Sequence, residues 1–443
     1  VGETDGVSLE IAKWQRALRS LGHSVFLCAG RLGEEEAFLI PELSQDHPEV
    51  QRIRDNAFVR FADYPSERAL WAHIEEVAGR IEGGLRRFVG AFDIDLLIVE
   101  NIWSLSPHLP ATLAVWRVVR ELRLPTIAHH HDFYWEKEDY QGPTCGLVRR
   151  LLATYYPPHD PHVMHVALNR LAQGELHRRG LHSVVVPNVL DFDERWEVDE
   201  FNHDFRERLG LSPADIVVLQ ATRVVPRKGI EIAVDLVSAL TSPAFREALC
   251  QRVRARGGEG PPRPVLLLPN RVEEPAYLEK LRERITEEGV EARFLSDRIS
   301  FRRHGDGQHK TYSLWDTYLF ADLVTYPSLQ EGWGNQFLEA VRAKLPVVTF
   351  EYPVFRSDIA PLGFRYVSLG HKSWHDEGGL VHVPQETLLA AAQGAAQLLA
   401  MPTRYQEVVE HNFTLAKAHF SLPRLREALD KVVQAELSHA LTG

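Results

Sequence analysis

Cysteine is scarce. The three in 443 residues, Cys28, Cys145 and Cys250, are odd in number and far apart, which excludes a disulfide framework and any zinc-type ligand spacing. They are the expected reduced thiols of a cytoplasmic protein. No apolar run approaches the length that crosses a bilayer, so no integral membrane segment is expected. Positive charge is also short: 50 Lys and Arg against 61 Asp and Glu leave a formal net charge of −11. That balance argues against nucleic acid as a partner and against broad adhesion to an anionic membrane. Neither glycine signature for phosphate, G-x-x-x-x-G-K-[ST] or G-x-G-x-x-G, occurs, and nucleoside-triphosphate and dinucleotide readings lose their main support. No internal repeat recurs at a fixed period.

What is present is an ordinary globular composition, 44% hydrophobic and 25% charged, in a chain long enough for two or more cores. Strand-like runs alternate with helical patterns. The strands are Ser24 to Cys28, Leu96 to Glu100, Thr126 to His130, His165 to Leu168, Ser183 to Pro187, Ile216 to Thr222, Val265 to Leu268, Ala292 to Leu295, Leu323 to Tyr326 and Pro346 to Phe350. Helices include Leu109 to Leu122, Gly229 to Leu240, Ala276 to Glu288 and Asn335 to Ala343. This alternation predicts α/β architecture with parallel sheets, divided into two doubly wound halves near Pro187-Asn188. Residues 1–187 then form a first Rossmann-like domain, 188–405 a second, and 406–443 C-terminal helices that pack back on the first. Ligands of such folds lie outside the carboxyl ends of the strands. The chain opens on a turn and an amphipathic helix (Leu9, Ile11, Trp14, Leu18, Leu21) with neither a strand nor a Met before it, so a first strand is expected to be missing.

Tyr326 to Val348, "YPSLQEGWGNQFLEAVRAKLPVV", reads as strand, loop and helix, with Glu331 in the loop and Glu339 in the first helical turns. Two carboxylates beside a helix N-terminus suit a ligand that carries both hydroxyls and phosphate. The alternative is that Asn335 caps the helix and Glu339 complements its dipole. Earlier in the same half, Arg223 and Lys228 lie between a strand and a helix, where a guanidinium and an ammonium form a clamp for a diphosphate, or a solvated basic loop. Gly229 then admits close backbone approach.

Taken in order, Arg223 and Lys228, Pro327-Ser328, Glu331-x7-Glu339 and Pro346-Val347-Val348 resemble the donor half of retaining GT-B glycosyltransferases of family 4. Thr4-Asp5-Gly6-Val7 resembles that family's first glycine loop, His131-Asp132 its histidine motif, and Val186 to Asp191 its hinge. Asn169, Leu190 and Asn270 depart from the usual pattern. The resemblance implies a GT-B fold of two Rossmann-like domains facing a central cleft, with the acceptor in the first domain and the donor in the second. It implies transfer of a hexosyl group, mannosyl or glucosyl, from a nucleotide diphosphate sugar to a hydroxyl of a small sugar-type acceptor, with retention. Arg223 and Lys228 would hold the diphosphate, Glu331 the sugar hydroxyls and Glu339 the ribose. Gly6 and the turn Gly332-Trp333-Gly334-Asn335 would offer backbone N–H groups. His131 would stand near the reactive carbon. The nucleotide sugar, of GDP-mannose or UDP- or ADP-glucose type, is a co-substrate, and no tightly bound cofactor is implied. The Asp5 to Ser8 loop and "HHHDFYWE" also resemble mannosylglucosylglycerate synthase-like members, whose acceptor is a small acidic sugar such as glucosylglycerate.

Within "AHHHDFYWE" the strand period puts His129 and His131 on one face and His130 on the other, so the three histidines do not converge on a metal. No metal is expected. Asp5, Asn101, Trp103, Asp132, Tyr134 and Trp135 are the candidate acceptor residues, the aromatics because a ring face suits a sugar. Asp93-x-Asp95 reads as a turn into a strand. Three rivals remain: a glycoside hydrolase using Glu331 and Glu339, a nucleotide-sugar epimerase, and a non-catalytic nucleotide-sugar-binding protein.

Overall fold

The computed structural model describes residues 6–33, 36–105, 107–305 and 309–442. Two compact units divide the chain, Val1–Val189 with Leu422–Gly443, and Leu190–Ser421.

In the first unit, the strands Leu97–Glu100, Thr126–His130, Val163–Ala167 and Ser183–Val185 lie side by side in chain order, all parallel. Every residue of Thr126–His130 is buried, as a parallel strand covered on both faces requires. One layer brings Leu70, Ile74 and Val77 of the helix Glu67–Phe92 against Leu113, Val115 and Val118 of the helix Leu109–Leu122. Ser66 caps Glu67–Phe92 by accepting from Ala69 N, and Asp93 ends it in the left-handed region at φ 52°. Asp93-x-Asp95 is therefore a helix-ending turn. The other layer joins Trp14 and Leu18 of the helix Gly6–Ser20 to Ile127, Val166 and Leu425 and Leu429 of the helix Leu422–Thr442. Glu436 on that last helix accepts the main-chain N–H of Thr126 at 3.3 Å. Where the sequence suggested a strand over Ser24 to Cys28, the ladder holds only Cys28–Ala29 against Phe38–Leu39. Phe26 instead stacks on Phe92 at 4.5 Å.

The second unit is built on a six-stranded parallel sheet. Its order is Val367–Ser368, Val347–Thr349, Leu323–Tyr326, Asp215–Leu219, Arg263–Leu268, Glu291–Phe294. The chain starts in the middle, runs outward to one edge, then returns and runs to the other. Asp215–Leu219 and Leu323–Tyr326 are thus neighbours whose onward connections leave in opposite directions, the switch point where doubly wound sheets hold ligands. Asp322 pins this pair: its buried carboxylate accepts from Val217 N and from Arg252 and Arg256, each at 2.9 Å. The helix Pro402–His419, grouped with the C-terminal tail in the sequence reading, belongs to this unit, and only Leu422–Thr442 belongs to the first. The described part of the 302–310 loop is tied down by Arg303 on Asp316 at 3.0 Å and Lys310 on Asp204 at 2.8 Å. Among the described residues no helix is long and apolar enough to cross a membrane.

Candidate active site

At the switch point of the second unit, a short 3-10 turn Pro226–Lys228 follows the strand Asp215–Leu219. Pro226 starts the turn with its fixed φ, and Gly229 ends it at φ 57°. A Cβ at Gly229 would stand 2.6 Å from the carbonyl oxygen of Pro327, so only glycine lets the two loops meet this closely. Leu329 N donates to Arg227 O at 2.9 Å and ties the loops together. The result brings Lys228 Nζ into contact with Glu331 Oε1, while Arg227 Nη1 reaches Glu331 Oε2 at 3.3 Å.

The electrostatics follow from burial. Desolvation works to raise the Glu331 carboxyl, but the charges of Lys228 and Arg227 override it and hold it below the usual carboxylate range. Desolvation also lowers the Lys228 ammonium, only partly offset by Glu331. Arg223 stands near enough for its charge to add to that depression, and its own guanidinium pairs with Glu273 at 2.8 Å. Two cations therefore converge on the Glu331 carboxylate at a strand's carboxyl end, with a third, Arg223, near Lys228 and held by Glu273. Burial and the Glu331 charge push the phenols of Tyr326 and Tyr352 well above their ordinary value, keeping both as neutral donors.

The Gly332 to Asn335 turn stands between the two glutamates in sequence and opens the helix Asn335–Arg342. Gly334, not Asn335, is the N-cap, so the alternative that Asn335 caps this helix does not hold. At Gly334 a Cβ would meet the Tyr352 hydroxyl and Ile359 Cδ1, each at 2.8 Å. The indole of Trp333 is turned into the core, edge-on to Phe420 at 5.4 Å, so this residue can offer a ligand little beyond its backbone. Glu339 lies one turn along the helix and accepts from the Tyr318 hydroxyl at 2.7 Å.

In the first unit, the candidate residues cluster at the carboxyl ends of Leu97–Glu100 and Thr126–His130, which pair with Glu100 opposite His129. His129 Nδ1 and His131 Nε2 lie 2.9 and 3.0 Å from the same atom, Glu100 Oε2. His130 points to the other face and meets His165 at 3.0 Å, as strand alternation demands. The three histidines do not converge, but two of them and Glu100 do. Their donor atoms lie within 4.8 Å of one another, close enough for a cation, although these atoms are already hydrogen-bond partners. Asn101, at φ 60°, accepts from His131 N at 2.8 Å and from Ser104 Oγ at 3.0 Å, which fixes the turn carrying His131.

Trp103 corrects an expectation: it is fully buried, its indole N–H given to Thr112 O at 3.2 Å, and it has no surface for an acceptor. Tyr134 packs edge-on against Tyr156, with ring centroids 6.1 Å apart. Trp135 stacks on Phe133 at 4.4 Å and carries the Arg179 guanidinium 3.8 Å above its ring. Asp132 faces Lys137 at 3.5 Å. Gly6 is exposed at the start of its helix, with open space where a Cβ would stand. Asp5 lies outside the described residues. Asn169, a departure from the family pattern, performs the ordinary work of a serine there by capping the next helix through Ala172 N at 2.8 Å. Glu100, Arg227 and Glu273 are missing from the sequence-based set. The parallel pairing of Glu100 with His129 is the signal that could have found the first of them.

Comparison with solved structures places this architecture. HepE from Anabaena, in complex with UDP and glucose, superposes with a TM-score of 0.61 at 15% identity, covering 98% of this chain and 97% of that one. Sucrose-phosphate synthase from Thermosynechococcus elongatus gives 0.58 at 15% identity, covering 98% and 94%. The fold is that of the GT-B glycosyltransferases. No protein-family model matches the chain. It is 39% identical over 435 residues to the mannosylglucosylglycerate synthase of Thermotoga maritima, covering 98% of this chain and 97% of that protein. With the enzyme of that name from Petrotoga mobilis it shares 37% over 436 residues, covering 97% and 98%. The chain belongs to the mannosylglucosylglycerate synthase family and is a glycosyltransferase.

Proposed function

We propose that the protein moves a mannosyl group, with retention, from a nucleotide diphosphate sugar to a hydroxyl of glucosylglycerate or a closely similar acidic sugar. One observation carries this reading: Lys228 and Arg227 pair with Glu331 at the switch point of the second unit, and Arg223 stands near enough for its charge to act on Lys228. Cations there suit a diphosphate, and a carboxylate among them suits the hydroxyls of the sugar attached to it. The names of the relatives supply the sugar and the acceptor.

In this reading the donor belongs to the half expected over 188–405 and the acceptor to the half over 1–187. Lys228 and Arg223 stabilise the charge that builds on the leaving diphosphate. Glu331 orients the sugar through its hydroxyls, Glu339 takes the ribose hydroxyls, and backbone N–H groups of Gly6 and Gly332 to Asn335 complete the donor contacts. Asp5, Asn101, Asp132, Tyr134 and Trp135 are candidates for the acceptor side. His131 stands by the reactive carbon. The leaving phosphate oxygen takes the proton of the attacking hydroxyl on the same face, so the enzyme contributes orientation and electrostatics rather than a nucleophile. The reaction needs no resident cofactor or metal, and a cytoplasmic location supplies the nucleotide sugar.

The test is calorimetric titration with GDP, UDP and ADP, followed by transfer to glucosylglycerate from the matching mannosyl donor. Selective binding of one nucleotide and formation of the mannosylated product with retained configuration are expected. Hydrolysis of a simple glycoside without nucleotide, or conversion of the donor without acceptor, would replace this reading with a hydrolase or an epimerase. Nucleotide-sugar binding without turnover on any acceptor would make the protein a sensor.

A further inference from the structure

Glu100 enters none of the roles above, yet its carboxylate is the centre of the first unit's polar cluster. A carboxylate accepts only, so the contacts at 2.9 and 3.0 Å require protons on both His129 Nδ1 and His131 Nε2. The two rings answer differently. His129 is completely buried, stacked on Trp14 at 4.0 Å, and its Nε2 has no partner among the described residues. Desolvation wins over Glu100 there and keeps the ring neutral. At His131 desolvation opposes the charged ring too, but the Glu100 hydrogen bond and charge override it and raise its affinity for a proton.

Two further carboxylates, paired with Lys13 and Lys137, act on His131 in the same direction. Glu10, buried on the helix Gly6–Ser20 and bridged to Lys13, adds negative potential, and one of its oxygens has no partner among the described residues. Asp132, next in the chain, adds more. Main-chain N–H donation to Asn101 holds the His131 backbone, leaving ring orientation to Glu100.

We infer that Glu100 is a positioning residue: it fixes His131 as an imidazolium whose Nδ1–H, the donor Glu100 does not take, is aimed away from the carboxylate toward the transferred sugar, with Glu10 reinforcing the charge. This rests on the reading that His131 stands at the reactive carbon. A fixed imidazolium there donates a hydrogen bond to a sugar hydroxyl without moving a proton in the step itself. A bare cation on the same three side chains is the competing arrangement, and the mutual hydrogen bonds favour the proton.

The experiment uses the full chain carrying imidazole-labelled histidine, with the His131 signal assigned by its disappearance in His131→Gln. Wild-type His131 is expected to titrate above the ordinary histidine value. Glu100→Gln, which keeps the shape and removes the charge, should lower its proton affinity by about tenfold or more. Glu100→Asp, which keeps the charge and shortens the reach, should give a smaller loss and serves where Glu100→Gln fails to fold. In parallel, kcat should fall on its alkaline limb as His131 deprotonates, and that limb should move to lower pH in Glu100→Gln while KM for the donor changes by about twofold or less. A His131 titration unmoved in both variants overturns the inference, as does stoichiometric metal on the purified protein that Glu100→Gln releases. If the titration moves and the kcat limb does not, the Glu100 to His131 coupling stands and the placement of His131 beside the sugar fails.

Discussion

Lys228 and Glu331 lie 103 residues apart in sequence and in direct contact in the fold, each on the loop that leaves one of two adjacent parallel strands. The pair is almost fully buried, with side-chain exposures of 6% and 12%. A buried ion pair is weak evidence for stability, because desolvation consumes most of its attraction. Its position at the switch point suits the proposed donor role, in which the ammonium would exchange part of its hold on Glu331 for a phosphate oxygen.

Replacing Lys228 with Gln should lower kcat by about 100-fold, the order seen when one charge-stabilising donor is removed. Nucleoside diphosphate binding should weaken less, since Arg223 and Arg227 remain. Steady-state kinetics beside calorimetry separate the two, and a wild-type kcat would remove Lys228 from the leaving-group role.

Glu339→Ala should weaken nucleoside diphosphate binding by about 10-fold or more, the worth of one or two hydrogen bonds to a charged acceptor. Tyr318→Phe deletes the hydroxyl that now occupies Glu339 and should leave that binding nearly unchanged. Equal affinity of Glu339→Ala and wild type would end the ribose assignment.

His131→Ala is expected to reduce transfer by about 100-fold while nucleotide binding stays within about threefold, because the side chain belongs to the first unit and the Lys228–Glu331 pair proposed to hold the donor belongs to the second. Parallel losses in both would mark the residue as structural.

Asp322→Ala removes the acceptor of one main-chain N–H and two guanidinium groups and leaves Arg252 and Arg256 without it. Breaking such a buried pair costs about 3–5 kcal/mol. Urea unfolding followed by fluorescence checks this, and a midpoint equal to wild type would show that the arginines find other partners.

Burial pushes the Cys28 thiol up to about 12. A raised value means the thiol stays protonated below it, so at pH 8 only about one molecule in ten thousand carries the reactive thiolate. Alkylation of Cys28 in the folded protein should be slow at pH 8 and rise about tenfold per pH unit. Mass mapping after iodoacetamide treatment reads this directly, and rapid labelling at pH 8 would contradict it.

Local pattern was enough for the elements that carry the site. Leu323–Tyr326, Thr126–His130 and Leu109–Leu122 stand where apolar periodicity and a following Pro327 place them. The failures have a common cause. Ser24 to Cys28 reads as a strand, but a strand needs a neighbour, and only Cys28–Ala29 has one. Trp103 reads as a ligand surface because it follows a strand's carboxyl end, yet the Asn101 turn at φ 60° directs the chain so that the indole enters the core. Glu100 passes unnoticed as the last residue of a buried strand, and becomes the centre of a cluster only when Thr126–His130 pairs beside it.

By itself the sequence determined the alternation of strand and helix, and with it the α/β class. It also put His131, Lys228 and Glu331 in the loops that follow strands and Glu339 in the first turns of the next helix, because those features depend on side-chain period and turn residues within a few positions. The partners were decided by tertiary structure alone. The meeting of Lys228 with Glu331, of Arg223 with Glu273 and of Glu100 with two histidines depends on strand order and register. Those are set by packing between segments tens to a hundred residues apart, which no local period encodes.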